Sequence, residues 1–186
     1  MLRRRTSRPI AQDPDPPPGS AFDVIYVVGD WEGEPKRYRV FNIAEGLRQA
    51  GYRVHIMPFD RLDEVVRRNW TASVLVLFRA EYDPDEDADA VLDHIRVHGG
   101  RVIYDIDDLV FDESLAEWID GLRLMGPYER SAHLRAYARR RHLLLMCDAV
   151  TSSTVPLARL VAALGQPAKV IPNSLNQRQL DIAQVL

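Results

Sequence analysis

Three clusters of glycine and polar residues in this chain are arranged in ways that a ligand or a reaction could use. The first is the turn from Gly29 to Tyr38, which contains Gly29 and Gly33, with Arg37 and Arg39 at the start of the next helix. Glycine lets an anion approach the backbone closely, and a helix amino terminus adds unpaired N–H groups and a partial positive charge. A phosphate or carboxylate suits such a place. The second is Asp105-Ile106-Asp107-Asp108. Carboxylates this close repel one another, so cations or water must accompany them. At a site, Asp107 and Asp108 would serve as general base toward a hydroxyl, as hydrogen-bond acceptors for a polyol, or as metal ligands. The third is Thr151-Ser152-Ser153-Thr154, a run of hydroxyls ahead of Pro156.

Each cluster also has a plainer reading. Gly29 and Gly33 do not make a G-x-G-x-x-G fingerprint and no Walker A pair follows, so a flexible turn with solvated arginines stays open. Asp107 or Asp108 can cap a helix and pair with a nearby arginine. A D-x-D run alone supplies too few ligands for a divalent ion, so neither metal nor cofactor is expected. The hydroxyl run is explained by N-capping. His55, His94, His98, His133 and His142 fall inside predicted elements and not at strand exits, which leaves no Ser-His-Asp arrangement. Cys147 follows Leu143, Leu144, Leu145 and Met146 and reads as buried packing.

The elements that must position these clusters alternate along the chain. Phe22 to Val28 is a nearly continuous apolar strand, as a parallel strand covered on both faces must be. Val40, Ile43, Ala44, Leu47 and Ala50 then recur at helical spacing, Gly51 ends that helix, and Tyr52 to Met57 resumes a strand. Further strands are predicted over 73–78, 101–106, 149–153 and 169–171. Between them lie helices over 61–70, from Pro84 to about Gly99, over 114–125 and 128–146, and over 156–164. Alternation of this kind predicts an α/β fold: a Rossmann-like, doubly wound parallel sheet of about six strands with right-handed crossovers. Its ligands would sit beyond the carboxyl ends of the strands, where the turn after Val28 and the Asp107 run both fall.

The totals set limits. A chain of 186 residues, 46% hydrophobic and 27% charged, fits one globular domain. A formal net charge of −3 argues against general nucleic-acid binding. Residues 1–20 form a leader in which Arg3, Arg4, Arg5 and Arg8 precede a proline-rich spacer. It reads as a mobile arm, with contact to anionic lipid headgroups as the alternative. The basic run Arg135, Arg139, Arg140 and Arg141 reads as a solvated helix face, with an interfacial membrane contact as its alternative. No apolar run approaches the roughly 20 residues a spanning helix needs. A cytoplasmic protein is expected, in peripheral contact with the inner face of the plasma membrane if those basic segments touch lipid.

Tyr38 to Val54, Val102 to Phe111, Cys147 to Thr151 and Val170 to Ser174, four segments taken in this order, resemble the amino-terminal half of family 4-like glycosyltransferases. The likeness spans about residues 22–176 and is greatest to bacterial cell-wall and polysaccharide enzymes. It implies that residues 21–174 are the acceptor-side domain of a GT-B architecture, in which two Rossmann-like domains face each other across a cleft. Residues 175–186 would then be a linker or helix toward a carboxyl-terminal domain that binds the nucleotide sugar. The resemblance further implies that Gly29, Gly33, Arg37 and Arg39 approach the donor diphosphate, and that Asp107 and Asp108 face the cleft toward a glycan or lipid-linked acceptor. Many relatives carry a histidine-containing motif where this chain has carboxylates. Because both halves must hold the reactants in near-attack geometry, the segment alone is expected to be inactive. The competing reading is a non-catalytic, Rossmann-like sugar- or phosphate-binding or regulatory module. A nucleotide-dependent oxidoreductase ranks last, since the glycine fingerprint is missing.

Overall fold

The computed structural model describes residues 15–84 and 87–185. Six strands, β1 (Ala21–Val28), β2 (Val54–Pro58), β3 (Thr71–Phe78), β4 (Arg101–Ile106), β5 (Ala149–Ser152) and β6 (Ala168–Val170), form one sheet in the order β2-β1-β3-β4-β5-β6. All neighbouring pairs are parallel. The helices are α1 (Asn42–Gln49), α2 (Glu64–Arg67), α3 (Ala88–Val97), α4 (Asp120–Leu124), α5 (Pro127–Met146), α6 (Val155–Ala163) and α7 (Gln177–Val185). The protein is thus an α/β domain with helices on both faces of a parallel sheet.

The crossover from β1 runs one way to β2, and every later crossover runs the other way. Right-handed connections therefore put the first on one face of the sheet and the rest on the opposite face. Alternation along each strand sorts the side chains accordingly. Ile25, Val27, Leu75, Leu77, Val102, Tyr104, Ile106 and Val150 form the larger core with Val65 of α2, Val91, Leu92 and Ile95 of α3, Leu143 and Leu144 of α5 and Val161 of α6. Tyr26, Val28, Val54, Val76 and Phe78 turn the other way and pack on Val40 and Ala44. Burying each large apolar side chain contributes about 1.5–3 kcal/mol.

Several elements are shorter than periodicity predicts. The helix expected over 61–70 is a 3-10 turn, Phe59–Arg61, followed by the single turn of α2, because Asn69 adopts a left-handed φ of 49°. The helix expected from Pro84 begins at Ala88, after Asp87, which is also left-handed. The 114–125 stretch divides into a 3-10 segment, Glu113–Trp118, capped by Asp112, and α4, with extended Ile119 between them. A π-helical turn, Arg37–Phe41, precedes α1.

Arg3, Arg4, Arg5, Arg8 and the Asp13-Pro14 start of the expected proline-rich spacer lie outside the described residues. Residues 15–20, expected as the end of that arm, are docked on the domain. The Trp70 indole donates to Pro17 O (3.0 Å), Gly19 N–H donates to Arg68 O (2.8 Å), and Asp15 pairs with Arg61 (2.7 Å) and Arg68 (3.2 Å). Among the described residues, no helix is long and apolar enough to cross a membrane.

Candidate functional site

β1 neighbours both β2 and β3, so the direction of winding reverses between β1 and β3. Such a switch point opens a crevice outside the carboxyl ends of the strands. The first residues past β1 and β3 are Gly29 and Arg79. Gly29 N–H donates to Phe78 O (2.8 Å). A Cβ at Gly29 would lie 2.5 Å from both Arg79 O and Ala80 Cα, so glycine is required here by the close approach of two backbones.

Arg79 has a φ of 49°, a conformation uncommon in a residue with a side chain and concentrated at functional sites. Its backbone N–H donates to Asp105 O (3.2 Å), and its guanidinium reaches the exit of β4. There Nε donates to Asp107 Oδ1 (2.6 Å), Nη2 lies 3.5 Å from Asp108 Oδ2, and Nη1 lies 3.9 Å from Asp30 Oδ2. One guanidinium thus faces three carboxylates. Asp107 is the enclosed member, with a side chain 10% exposed, whereas that of Asp108 is 65% exposed. The Ser153 hydroxyl donates to Asp107 O (3.1 Å) and ties β5 to the same rim.

Asp30 also accepts from Gly33 N–H (2.9 Å), and a Cβ on Gly33 would fall 2.1 Å from the Asp30 carboxylate. The turn is therefore built around Asp30, and Gly33 makes room for it. Behind the rim stands α5. Its Arg139 and Arg140 hold Glu81 (3.4 and 2.7 Å), and Arg141 lies 3.7 Å from Asp112. Much of the basic run is thus internally paired. Burial pushes the Tyr137 phenol above its ordinary value, and the charge of Asp108 adds to that shift.

Arg39, expected beside the glycines at an anion site, is buried instead. Alternation along β4 points Asp105 away from Tyr104 and Ile106 and toward the π turn, where Arg39 Nε donates to Asp105 Oδ2 (3.0 Å) and Nη2 to Oδ1. The Thr151 hydroxyl donates to Asp105 Oδ1 (2.6 Å), and Arg39 Nη1 reaches Ile171 O. Burial holds the Asp105 carboxyl above its usual value, against the opposing pull of Arg39 and Thr151. A notch of about 160 Å³ lined by Val24, Tyr26, Val74 and Ile103 opens beside this pair. Arg37 lies elsewhere, 45% exposed and 3.8 Å from Glu34.

The six residues singled out from the sequence thus fall into three places. Gly29, Gly33, Asp107 and Asp108 share the switch-point rim, Arg39 is interior, and Arg37 is on a helix flank. Arg79 and Asp30, absent from that set, are the residues that knit the rim together. For Arg79 the only sequence signal was a cation one residue past a buried strand. Of the hydroxyl run, Thr154 caps α6 through Leu157 N–H (3.4 Å), and Ser152 donates to Thr154 O (3.1 Å). Burial pushes the Cys147 thiol up to about 12, and it donates to Leu143 O (3.2 Å). Among the described residues, no group of His, Cys, Asp and Glu could hold a metal ion.

Chemically, the rim offers a carboxylate fixed by a guanidinium and a second carboxylate open to solvent. That pair suits hydroxyl groups better than a bare anion, because the rim carries more negative than positive charge. No known family, curated protein or solved structure matches this chain.

Proposed function

We propose that this chain is the acceptor-side domain of a cytoplasmic glycosyltransferase that moves a sugar from a nucleotide-sugar donor to a glycan or lipid-linked hydroxyl in surface-polysaccharide synthesis. The reading rests on the four-segment resemblance and on one observation: at the switch point, Arg79 fixes Asp107 while Asp108 stays open. Asp108 would accept hydrogen bonds from acceptor hydroxyls, and Asp107 would orient or deprotonate the attacking one. The donor diphosphate would approach across the Gly29–Gly33 turn, mostly held by a second domain. Peripheral contact with the inner face of the plasma membrane would bring a lipid-linked acceptor within reach.

Saturation-transfer NMR with a panel of oligosaccharides tests the acceptor side. Loss of a hydrogen bond to a charged group is worth about 1.5–3 kcal/mol, so Asp108→Asn should weaken the best ligand roughly tenfold or more. A panel that shows no binding to the unsubstituted chain, or equal affinity in the variant, would refute the assignment.

The second reading is a non-catalytic sugar-binding module. It is favoured by the burial of Arg39 and by the packing roles of Gly29 and Gly33, which leave few groups free for a diphosphate. A radiolabelled nucleotide sugar distinguishes the two: label reaching the bound glycan, with the chain joined to a donor-binding domain, supports the enzyme. Binding without transfer supports the module.

A further inference from the structure

A second concavity lies away from the rim, along the flank of α1. The chain leaving β6 crosses to the π turn, where Ser174 N–H donates to Tyr38 O (3.3 Å). Three bonds then tether this segment and α7, one to the segment and two to the helix. Asn42 Nδ2 donates to Ser174 O (2.6 Å) and to Gln179 Oε1 (2.9 Å), and Gln177 N–H donates to Glu45 Oε1 (3.1 Å). The two helices do not close on each other, and a groove of about 640 Å³ remains between them. That volume is in the range of small-molecule sites, about 300–1,000 Å³.

Its lining is two-sided in character. Phe41, Ile56 and Ile182 supply apolar surface, and Ile182 is 53% exposed. Arg37, Arg48 and Arg178 supply positive charge, against Glu45 as the one acidic lining residue. Glu45 is already engaged by Gln177, and Arg48 is anchored to Val54 O (2.9 Å). Arg178 is exposed and has no carboxylate partner among the described residues. An apolar trough edged by guanidinium groups, on a chain of net charge −3, selects for the opposite sign.

We propose that the groove between α1 and α7 binds an organic anion with an apolar body, such as an alkyl chain bearing a phosphate. The apolar part lies along Phe41, Ile56 and Ile182, and the anionic head meets Arg37 and Arg178. A membrane lipid and a free amphiphilic metabolite share this chemistry. The site is independent of the rim residues and of the sugar-transfer reading.

The probe is octyl phosphate below its micellar threshold, titrated calorimetrically into the 186-residue protein, with 1-octanol and inorganic phosphate as comparators. One saturable site is expected, with each comparator bound roughly tenfold more weakly or worse. Arg178→Glu and Ile182→Asn each reduce octyl phosphate affinity by about tenfold. Both positions are exposed, so unchanged melting temperatures verify that the variants fold. Asp108→Asn leaves the affinity unchanged, which separates this site from the rim. Absence of saturable binding, equal affinity in both groove variants, or inorganic phosphate matching octyl phosphate would overturn the proposal. Co-sedimentation with phosphatidylglycerol vesicles that Arg178→Glu abolishes supports it with a lipid as the source. Octyl phosphate binding without co-sedimentation supports it with a soluble anion.

Discussion

Arg39 and Asp105, 66 residues apart in the chain, meet as a buried bidentate ion pair that joins the π turn to the centre of the sheet. Their side chains are 0% and 4% exposed. Removing one partner of such a pair leaves an uncompensated charge in the interior, which typically costs about 3–5 kcal/mol, whereas apolar replacement of both is often neutral. Arg39→Met is therefore expected to lower unfolding stability by about that amount, and Arg39→Met with Asp105→Leu to recover most of it. Urea unfolding of the single and double variants measures the coupling. Additive losses would show that the pair does not act as a unit.

Gly29 and Gly46 predict opposite outcomes for the same substitution. A methyl group at Gly29 meets Arg79 O and Ala80 Cα at 2.5 Å, so Gly29→Ala must push two backbones apart at the switch point. Overpacking of this kind costs about 1–3 kcal/mol. At Gly46, inside α1, a Cβ meets nothing within 4 Å, and alanine should stabilise the helix by about 0.5–1 kcal/mol. Thermal melts should move in opposite directions. A Gly29→Ala protein as stable as the unsubstituted chain would remove the packing account of that residue.

Glu64 gives the acid dependence of stability a defined origin. Hydrogen bonds from Arg61 (2.8 and 2.9 Å), aided by the charge of Arg68, hold its carboxyl below the usual range against the contrary effect of burial. The unfolded chain therefore binds a proton at a higher pH than the folded one. This contribution is complete above the unfolded carboxylate value of about 4.3 and is lost as pH falls through the lower folded value. Melting temperatures from acid to neutral pH should rise less steeply for Glu64→Gln than for the unsubstituted chain. Parallel curves would place the acid sensitivity elsewhere.

The layered order of the fold was legible in residue order because its signals are local. A run of seven residues, Phe22 to Val28, apolar except for Asp23, has few solutions other than a covered strand, and Thr154 before Pro156 marks a helix start by its own chemistry. Helix lengths were less legible, since Asn69 and Asp87 end or begin elements through left-handed backbone states that periodicity does not encode. Four rim residues, Gly29, Gly33, Asp107 and Asp108, were visible in the sequence. Arg79 was not, because an arginine in a strand-exit loop becomes a clamp only when β3 and β4 are paired in register.

Arg37 and Arg39 show where that boundary falls. The sequence placed both at the start of the first crossover helix, and the charge of a helix amino terminus suggested one anion-binding role for the two. Two positions apart on a helical turn, side chains point to nearly opposite sides. One therefore faces the flank near α7 and the other faces Asp105. Which side met the sheet depended on the pairing of β1 with β3 and β4 and on the return of residues 171–176 across the π turn. Those are long-range contacts, and no short window of sequence contains them.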